Sequence, residues 1–199
     1  MAAQEDRDAF WRALRARHPP LREAVIADAR ITARYRGERH AFRSRPDAAM
    51  QLIRLALVSD AFLAQALYRV KATLQARRIP LLPRLAHRGA MSLAQLSIGD
   101  PVVMHPGVYV MHGQVVIDGL VEIHGGVALA PFVTIGLRAG DVRGATVGAG
   151  AQVGTGAKVI GPVQIGAGAT IGANAVVVDD VPAGATVAGA PARVTRAAL

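Results

Sequence analysis

An aliphatic residue returns at every sixth position along the second half of the chain. The spacing is interrupted only by one extra residue after Val110 and by a gap of twelve after Ile135. The aliphatic positions are Ile98, Met104, Val110, Ile117, Ile123, Leu129, Ile135, Val147, Val153, Val159, Ile165, Ile171 and Val177. A period of six fits neither a helix nor a single long strand, and it is typical of a β-helix built from hexapeptides. We therefore predict a parallel β-helix in which each hexapeptide supplies a short strand and a corner, with its aliphatic side chain inside.

The residues before this repeat follow a helical spacing instead. Residues 6–33 predict helix interrupted at Pro19-Pro20, residues 35–46 predict a polar loop, and residues 47–75 predict a second helical stretch. A further short helix is predicted between Pro80 and Met91. We predict an α-helical domain over residues 1–96, which covers the first coil as terminal repeats must, and a β-helix domain with a tail over residues 97–199.

Composition supports the same division. Of the 21 glycines, 19 lie at or after residue 97, and the net charge of +9 comes from the first 96 residues. Because the arginines alternate with acids and apolar residues, we expect an ordinary solvated surface and no nucleic-acid partner. The chain has no cysteine, its N-terminus does not resemble a secretory signal, and no apolar run reaches membrane-spanning length. These features predict a cytoplasmic protein without a membrane partner.

Several motifs give the repeat a family resemblance. Residues 171–182 (IGANAVVVDDVP) and 187–193 (VAGAPAR) resemble the bacterial hexapeptide acyltransferases. Residues 66–69 (ALYR), 133–136 (VTIG) and 156–161 (GAKVIG) resemble serine acetyltransferases in the same order. Over about residues 47–194, the resemblance implies a left-handed coil, acetyl-CoA as co-substrate lying along the coils, and transfer of the acetyl group to the hydroxyl of L-serine. It also implies a homotrimer or a dimer of trimers, with active sites between adjacent subunits.

The resemblance assigns the general base to His112. A histidine suits this role because its pKa lies near the working pH. The family's orienting aspartate falls on Ser97, so Asp100 is the candidate substitute, although it also has the character of a turn residue before Pro101. The other two histidines of the repeat, His105 and His124, are interpreted as corner residues.

Two residues match the family's acceptor contacts. Asp47 corresponds to an aspartate that holds the amine, and it also suits a helix N-cap. Arg143, in a loop predicted to project over residues 137–145, corresponds to the arginine that holds the carboxylate. The sequence departs from the family at Met111 and Gly144, where the family has an acceptor-binding aspartate and a histidine.

The co-substrate contacts carried over from the family are small residues and two cations. They are Gly136, Thr155, Gly156 and Ala173, with Lys158 and Arg193 as partners for phosphate. Small residues in such coils also have a purely structural explanation. No metal is expected.

Two alternatives remain open from the sequence. Met111 and Gly144 favour an acetyltransferase of the same fold that acts on another small hydroxyl or amine. A second alternative is a non-catalytic scaffold or a metalloprotein, in which the three coil histidines would converge on one metal across a trimer seam. Because the chain ends in Ala197-Ala198-Leu199 rather than isoleucine, the resemblance does not imply a complex with cysteine synthase.

Overall fold

The computed structural model describes residues 2–197, which form five helices followed by fifteen short strands. The helices are α1 (Ala2–Ala16), α2 (Leu21–Tyr35), α3 (Arg45–Val58), α4 (Asp60–Ala76) and α5 (Leu82–Ala94). The strands are β1 (Ser97–Ile98), β2 (Val103–Met104), β3 (Tyr109–Val110), β4 (Val116–Ile117), β5 (Leu120–Ile123), β6 (Ala128–Leu129), β7 (Thr134–Gly136), β8 (Arg143–Val147), β9 (Gln152–Val153), β10 (Lys158–Ile160), β11 (Gln164–Ile165), β12 (Thr170–Ile171), β13 (Val176–Val177), β14 (Thr186–Ala188) and β15 (Arg193–Arg196).

The strands form the three faces of a parallel β-helix. The first face contains β1, β4, β7, β10 and β13, the second contains β2, β5, β8 and β11, and the third contains β3, β6, β9, β12, β14 and β15. From β1 to β13, every third strand returns to the same face, so that three hexapeptides complete one coil. We refer below to the corner between the third and first faces as the first corner, and to the corner between the second and third faces as the second corner.

The aliphatic repeat fills the interior of this β-helix, as predicted. All thirteen repeat positions have side chains that are 2% exposed or less. The residue two positions earlier in each repeat, such as Val102, Val121 or Ala157, is also buried in the same core. Small residues are needed in this second row because the walls approach each other closely where the chain turns.

The helices α4 and α5 close the top of the β-helix. Ala61, Ala64 and Tyr68 of α4 and Ala90 of α5 join the hydrophobic core of the coils. This packing covers the first coil, as the sequence predicted.

The second helical stretch is broken where a continuous helix was predicted. Ser59 has an extended backbone, and its hydroxyl accepts a hydrogen bond from the amide of Phe62, which makes it the N-cap of α4. The two helices meet there at a bend of 116°. Among residues 2–197 no single helix is long and apolar enough to cross a membrane, and α3 and α4 reach that length and hydropathy only as this bent pair.

Buried polar side chains tie the helices to the coils. Arg69 of α4 and Asp28 of α2 are each 2% exposed and form a double hydrogen bond of 2.8 and 3.1 Å. Arg69 also donates to the carbonyl oxygens of Met104 and His105. Asp28 accepts hydrogen bonds from the amides of residues 107 and 108. This pair links two helices to the second corner of the first coil.

The insertion in the repeat is shorter than predicted. Residues 137–142 form the projecting segment, while Arg143 already belongs to β8, where it pairs with Leu120 of β5. The chain closes with β15, which runs antiparallel to β14. The prediction drawn from the last residues of the sequence concerns residues 198 and 199, which lie outside the described range.

Candidate active site

His112 lies at the first corner, between β3 and β4, and is exposed. The backbone around it is fixed on both sides. The amide of Met111 donates to Leu129 in the next coil, and the amide of Gln114 donates to the carbonyl of Ala94 at the end of α5. A Cβ atom on Gly113 would overlap that carbonyl oxygen, so only glycine permits this approach. The end of α5 therefore sets the position of the loop that carries His112.

His112 lines an open cleft of about 360 Å³. Residues 58–61 at the break between α3 and α4 form one wall, and residues 92–95 at the end of α5 form another. Residues 111–114 and Arg36 complete it. The break at Ser59, which the sequence pattern did not reveal, thus shapes the cleft.

Two charged residues that we did not predict share this cleft with His112. Asp60, the first residue of α4, is exposed and is the only acid among the described residues that line it. Arg36 follows α2 and contacts Glu38 through Nε at 2.9 Å. Glu38 also accepts a hydrogen bond from Arg54, and these two guanidinium groups keep the pKa of Glu38 below its usual value. The cleft therefore offers a carboxylate and a guanidinium beside an imidazole.

No sequence pattern marked Asp60 or Arg36 as a residue of the site. Asp60 reads as an acid inside a continuous helix, and Arg36 is one of many arginines in a polar loop. Only the bend after Ser59 brings the first turn of α4 to the first corner.

Asp100 does not orient His112, and this prediction is wrong. Asp100 follows β1 and lies at the corner between the first and second faces, whereas His112 lies at the first corner. Its carboxylate accepts a hydrogen bond of 2.9 Å from Lys71. Partial burial alone would raise the pKa of Asp100, but its hydrogen bonds, that from Lys71 first, and the nearby positive charge lower it below the usual value. Asp100 is three positions after Ser97, where the family has its orienting aspartate, and three positions along a hexapeptide repeat are enough to cross a face.

The two predicted acceptor contacts do not line the His112 cleft. Asp47 accepts hydrogen bonds of 2.6 and 2.8 Å from Arg39 and one of 2.7 Å from the amide of Arg43. These bonds hold its pKa far below the usual value. Arg143 forms a double contact with Asp141 and is largely exposed on β8, at another corner of the same chain.

Half of the predicted co-substrate residues share the first corner with His112. Thr155 and Gly156 precede β10, and Ala173 precedes β13, so that they lie at this corner in successive coils. Lys158 begins β10 beside the corner and donates to the carbonyl of Phe132 at 2.6 Å.

The remaining two co-substrate residues lie elsewhere. Gly136 ends β7 at the far side of the first face, and Arg193 lies on β15, 3.5 Å from Asp179. The structure therefore separates the six predicted residues into a row of four along one corner and two outliers.

His105 and His124 lie at the second corner, away from His112. Their rings stack on each other with centroids 4.7 Å apart. Within one chain, the three coil histidines therefore do not meet at one corner.

Comparison with known proteins agrees with this architecture. The family model described as bacterial transferase hexapeptide (six repeats) matches residues 144–179. A serine acetyltransferase from Synechococcus elongatus is 35% identical over 153 residues, which are 75% of this chain and 63% of that protein. A probable serine acetyltransferase 5 from Oryza sativa subsp. japonica is 38% identical over 182 residues, which are 89% of this chain and 50% of that protein. The chain thus spans between half and two thirds of the length of these curated relatives.

Solved structures give the same result over a larger share of their length. The soybean serine acetyltransferase apoenzyme is 30% identical and superposes with a TM-score of 0.73, covering 88% of this chain and 69% of that one. The soybean enzyme complexed with serine is 28% identical, with the same TM-score and coverage. A serine acetyltransferase in complex with CoA is 26% identical, with a TM-score of 0.72 and coverage of 88% and 69%.

The coils and these matches define a hexapeptide-repeat transferase. Within that class the chain belongs to the serine acetyltransferase family. The comparisons do not favour the alternatives of a different acceptor or a non-catalytic scaffold.

Proposed function

We propose that this protein transfers the acetyl group of acetyl-CoA to the hydroxyl of L-serine, with His112 as general base. The observation that carries the proposal is the cleft at the first corner, which brings His112 together with Asp60 and Arg36. An α-amino acid presents one ammonium and one carboxylate, and the cleft holds one charge complementary to each. The family relationship supports both the donor and the acceptor.

The reaction requires no redox partner. As the serine hydroxyl oxygen attacks the thioester carbonyl, His112 accepts its proton, and a C–O bond forms. The tetrahedral intermediate then collapses, the C–S bond breaks, and the proton held by the imidazolium passes to the departing sulfur. The products are O-acetylserine and CoA.

The row of small residues below His112 supports the assignment of the donor site. Thr155, Gly156 and Ala173 follow one another down the first corner in successive coils, and the corner with exposed Phe132 lies between them and His112. Lys158 lies beside this row, where its ammonium suits a phosphate.

We also propose that the active protein is a homotrimer. Arg143 cannot serve the His112 cleft of its own chain, because the two residues lie at different corners. A neighbouring copy packed against the first corner would bring its own Arg143 to the carboxylate of the acceptor as a second guanidinium beside Arg36. Adjacent subunits would then complete each other's sites.

Release of the CoA thiol from acetyl-CoA tests the reaction directly. Since the chain contains no cysteine, a thiol reagent reports CoA without a background from the protein. We expect release with L-serine, and a loss of at least roughly 100-fold in kcat for His112→Gln, the scale of general-base catalysis.

The matched control is His40→Gln, which changes an exposed histidine in the loop before α3 and should keep the rate of the unmodified protein. Full activity in His112→Gln would contradict the assignment of the base. Release with other amino acids or hydroxy acids but not with L-serine would contradict the acceptor.

A further inference from the structure

A second histidine cluster lies at the second corner, outside the proposed active site. His105 follows β2 and His124 follows β5, and these strands pair in parallel with Met104 opposite Ile123. The two histidines therefore occupy the same position in successive coils. Their rings are stacked with an interplanar angle of 7°.

Glu122 completes this cluster. It lies on β5, two residues before His124, and its Oε1 is 2.8 Å from Nε2 of His105. Its other oxygen accepts a hydrogen bond from Arg17. One ligand atom from each of His105, Glu122 and His124 can be chosen so that all three lie within 4.8 Å of one another.

The donor set fits a transition metal. Two imidazole nitrogens and one carboxylate oxygen are a known ligand set for zinc, with bonds of about 2.0–2.2 Å and a water in the fourth position. Such bonds place neighbouring ligand atoms roughly 3.3 Å apart in a tetrahedron. The distance of 2.8 Å for one pair and the upper limit of 4.8 Å for all three pairs bracket that value, and the stacked rings would rotate to share one cation. We propose that His105, Glu122 and His124 bind one divalent cation of the zinc class.

The surroundings hold the ligands in place. The amides of His105 and His124 donate to Ile123 and Val147 in the coil ladder, and the carbonyl of His105 accepts from buried Arg69 at 2.8 Å. Arg17 donates a hydrogen bond to Oε2 of Glu122, and the cation would bind the other oxygen, Oε1. Arg17 can therefore remain as an outer partner that orients Glu122.

A hydrogen-bonded cluster without a metal explains only part of this arrangement. The chain from Arg17 through Glu122 to His105 accounts for two of the three side chains. Among the described residues, the ring of His124 has no hydrogen-bond partner and only stacks on His105. A cation explains why a second imidazole lies beside a carboxylate that is already paired.

This cation would lie outside the proposed acetyl-transfer site. The second corner is separated from the His112 cleft by a whole face of the β-helix. The site would connect the first two coils to each other and, through Arg17, to the end of α1. It does not depend on the proposed transfer activity.

Zinc binding by the full chain tests the proposal. After treatment with a chelator and its removal, zinc is titrated in competition with a chromophoric chelator. We expect one zinc per chain. Glu122→Gln and His124→Gln each remove a direct ligand and should weaken binding by more than the 10- to 100-fold caused by loss of an outer partner.

The matched controls are His40→Gln, in the exposed loop before α3, and His112→Gln, at the first corner. Both should bind zinc like the unmodified protein. Cobalt in place of zinc should give the visible absorption of a tetrahedral site, and His124→Gln should lose it.

Thermal unfolding separates lost binding from lost folding. Zinc should raise the melting temperature of the unmodified chain but not that of His124→Gln, while circular dichroism shows that the variant keeps its helices and strands. If the folded unmodified chain retains no more zinc than folded His124→Gln, the proposal is wrong.

Discussion

At the scale of single residues, a glycine decides where the proposed base can lie. Gly113 lets the loop after β3 approach the carbonyl of Ala94, and the next residue, Gln114, takes a left-handed backbone with φ of 64°. These two residues turn the chain under the end of α5. His112 consequently faces a cleft whose charges come from residues distant in sequence.

Asp60 should determine how well the acceptor binds. If its carboxylate holds the ammonium of serine, Asp60→Asn should raise KM for L-serine by roughly 10- to 100-fold, because a hydrogen bond to a charged group contributes about 1.5–3 kcal/mol. The value of kcat should change little. Initial rates over a range of serine concentrations measure both.

Asp118→Asn provides the control, because it changes an exposed aspartate at a different corner. An unchanged KM in Asp60→Asn would refute the ammonium contact. A fall in kcat with a shifted pH profile would instead indicate that Asp60 positions His112 or tunes its pKa.

At the scale of elements, α4 joins the helical region to the coils through both apolar and polar side chains. One side of it contributes Ala61, Ala64 and Tyr68 to the core. Arg69, Lys71 and Gln65 reach backbone carbonyls of the first coil from the same helix. The Tyr68 hydroxyl bonds the carbonyl of Val102, and burial raises the pKa of Tyr68 to about 12. The helix therefore attaches through polar anchors as well as apolar packing.

Replacing Arg69 should loosen this attachment strongly. Arg69→Met leaves the buried carboxylate of Asp28 without its partner, and breaking a buried ion pair in this way costs about 3–5 kcal/mol. The free energy of unfolding, measured in urea, should fall by that amount. Arg22→Met, on the exposed side of α2, should change it by less than about 0.5 kcal/mol. Equal effects of the two substitutions would contradict the role of the pair.

At the scale of the whole molecule, the sequence predicted the β-helix far better than the site. Thirteen aliphatic residues at a fixed period constrain the coils redundantly, so one extra residue after Val110 and an insertion after Ile135 do not hide the repeat. The cleft has no such redundancy. The cleft depends on one extended residue, Ser59, and on which corner each residue reaches. Spacing along the chain predicts neither of these.

Asp100 and Asp60 illustrate this limit. The first is close to the predicted base in sequence but lies at another corner, while the second is distant in sequence and lines the cleft. The sequence also placed Arg143 in a loop, because it does not show that pairing with β5 resumes at that residue.

The proposed trimer predicts complementation between two impaired variants. His112→Gln and Arg143→Ala should each transfer poorly as pure proteins. If each site combines His112 of one subunit with Arg143 of its neighbour, trimers assembled from an equal mixture contain some intact sites, about one quarter of the total for random assembly in a ring.

Activity of the unfolded and refolded mixture, compared with each variant refolded alone, measures this effect. Two variants mixed without unfolding serve as the control and should show no gain. No recovery in the refolded mixture would mean that both residues act within one chain or that Arg143 does not contribute.

The reversal of direction at β15 has a consequence for assembly. Every coil ends in strand edges that match the coil below, so an uncovered β-helix could stack on another copy of itself and grow into a fibre. At one end of this molecule the helices cover the first coil. At the other, β15 presents an antiparallel edge on the third face, where a parallel coil of another copy would need to pair. On this face, β15 therefore opposes stacking of a second copy.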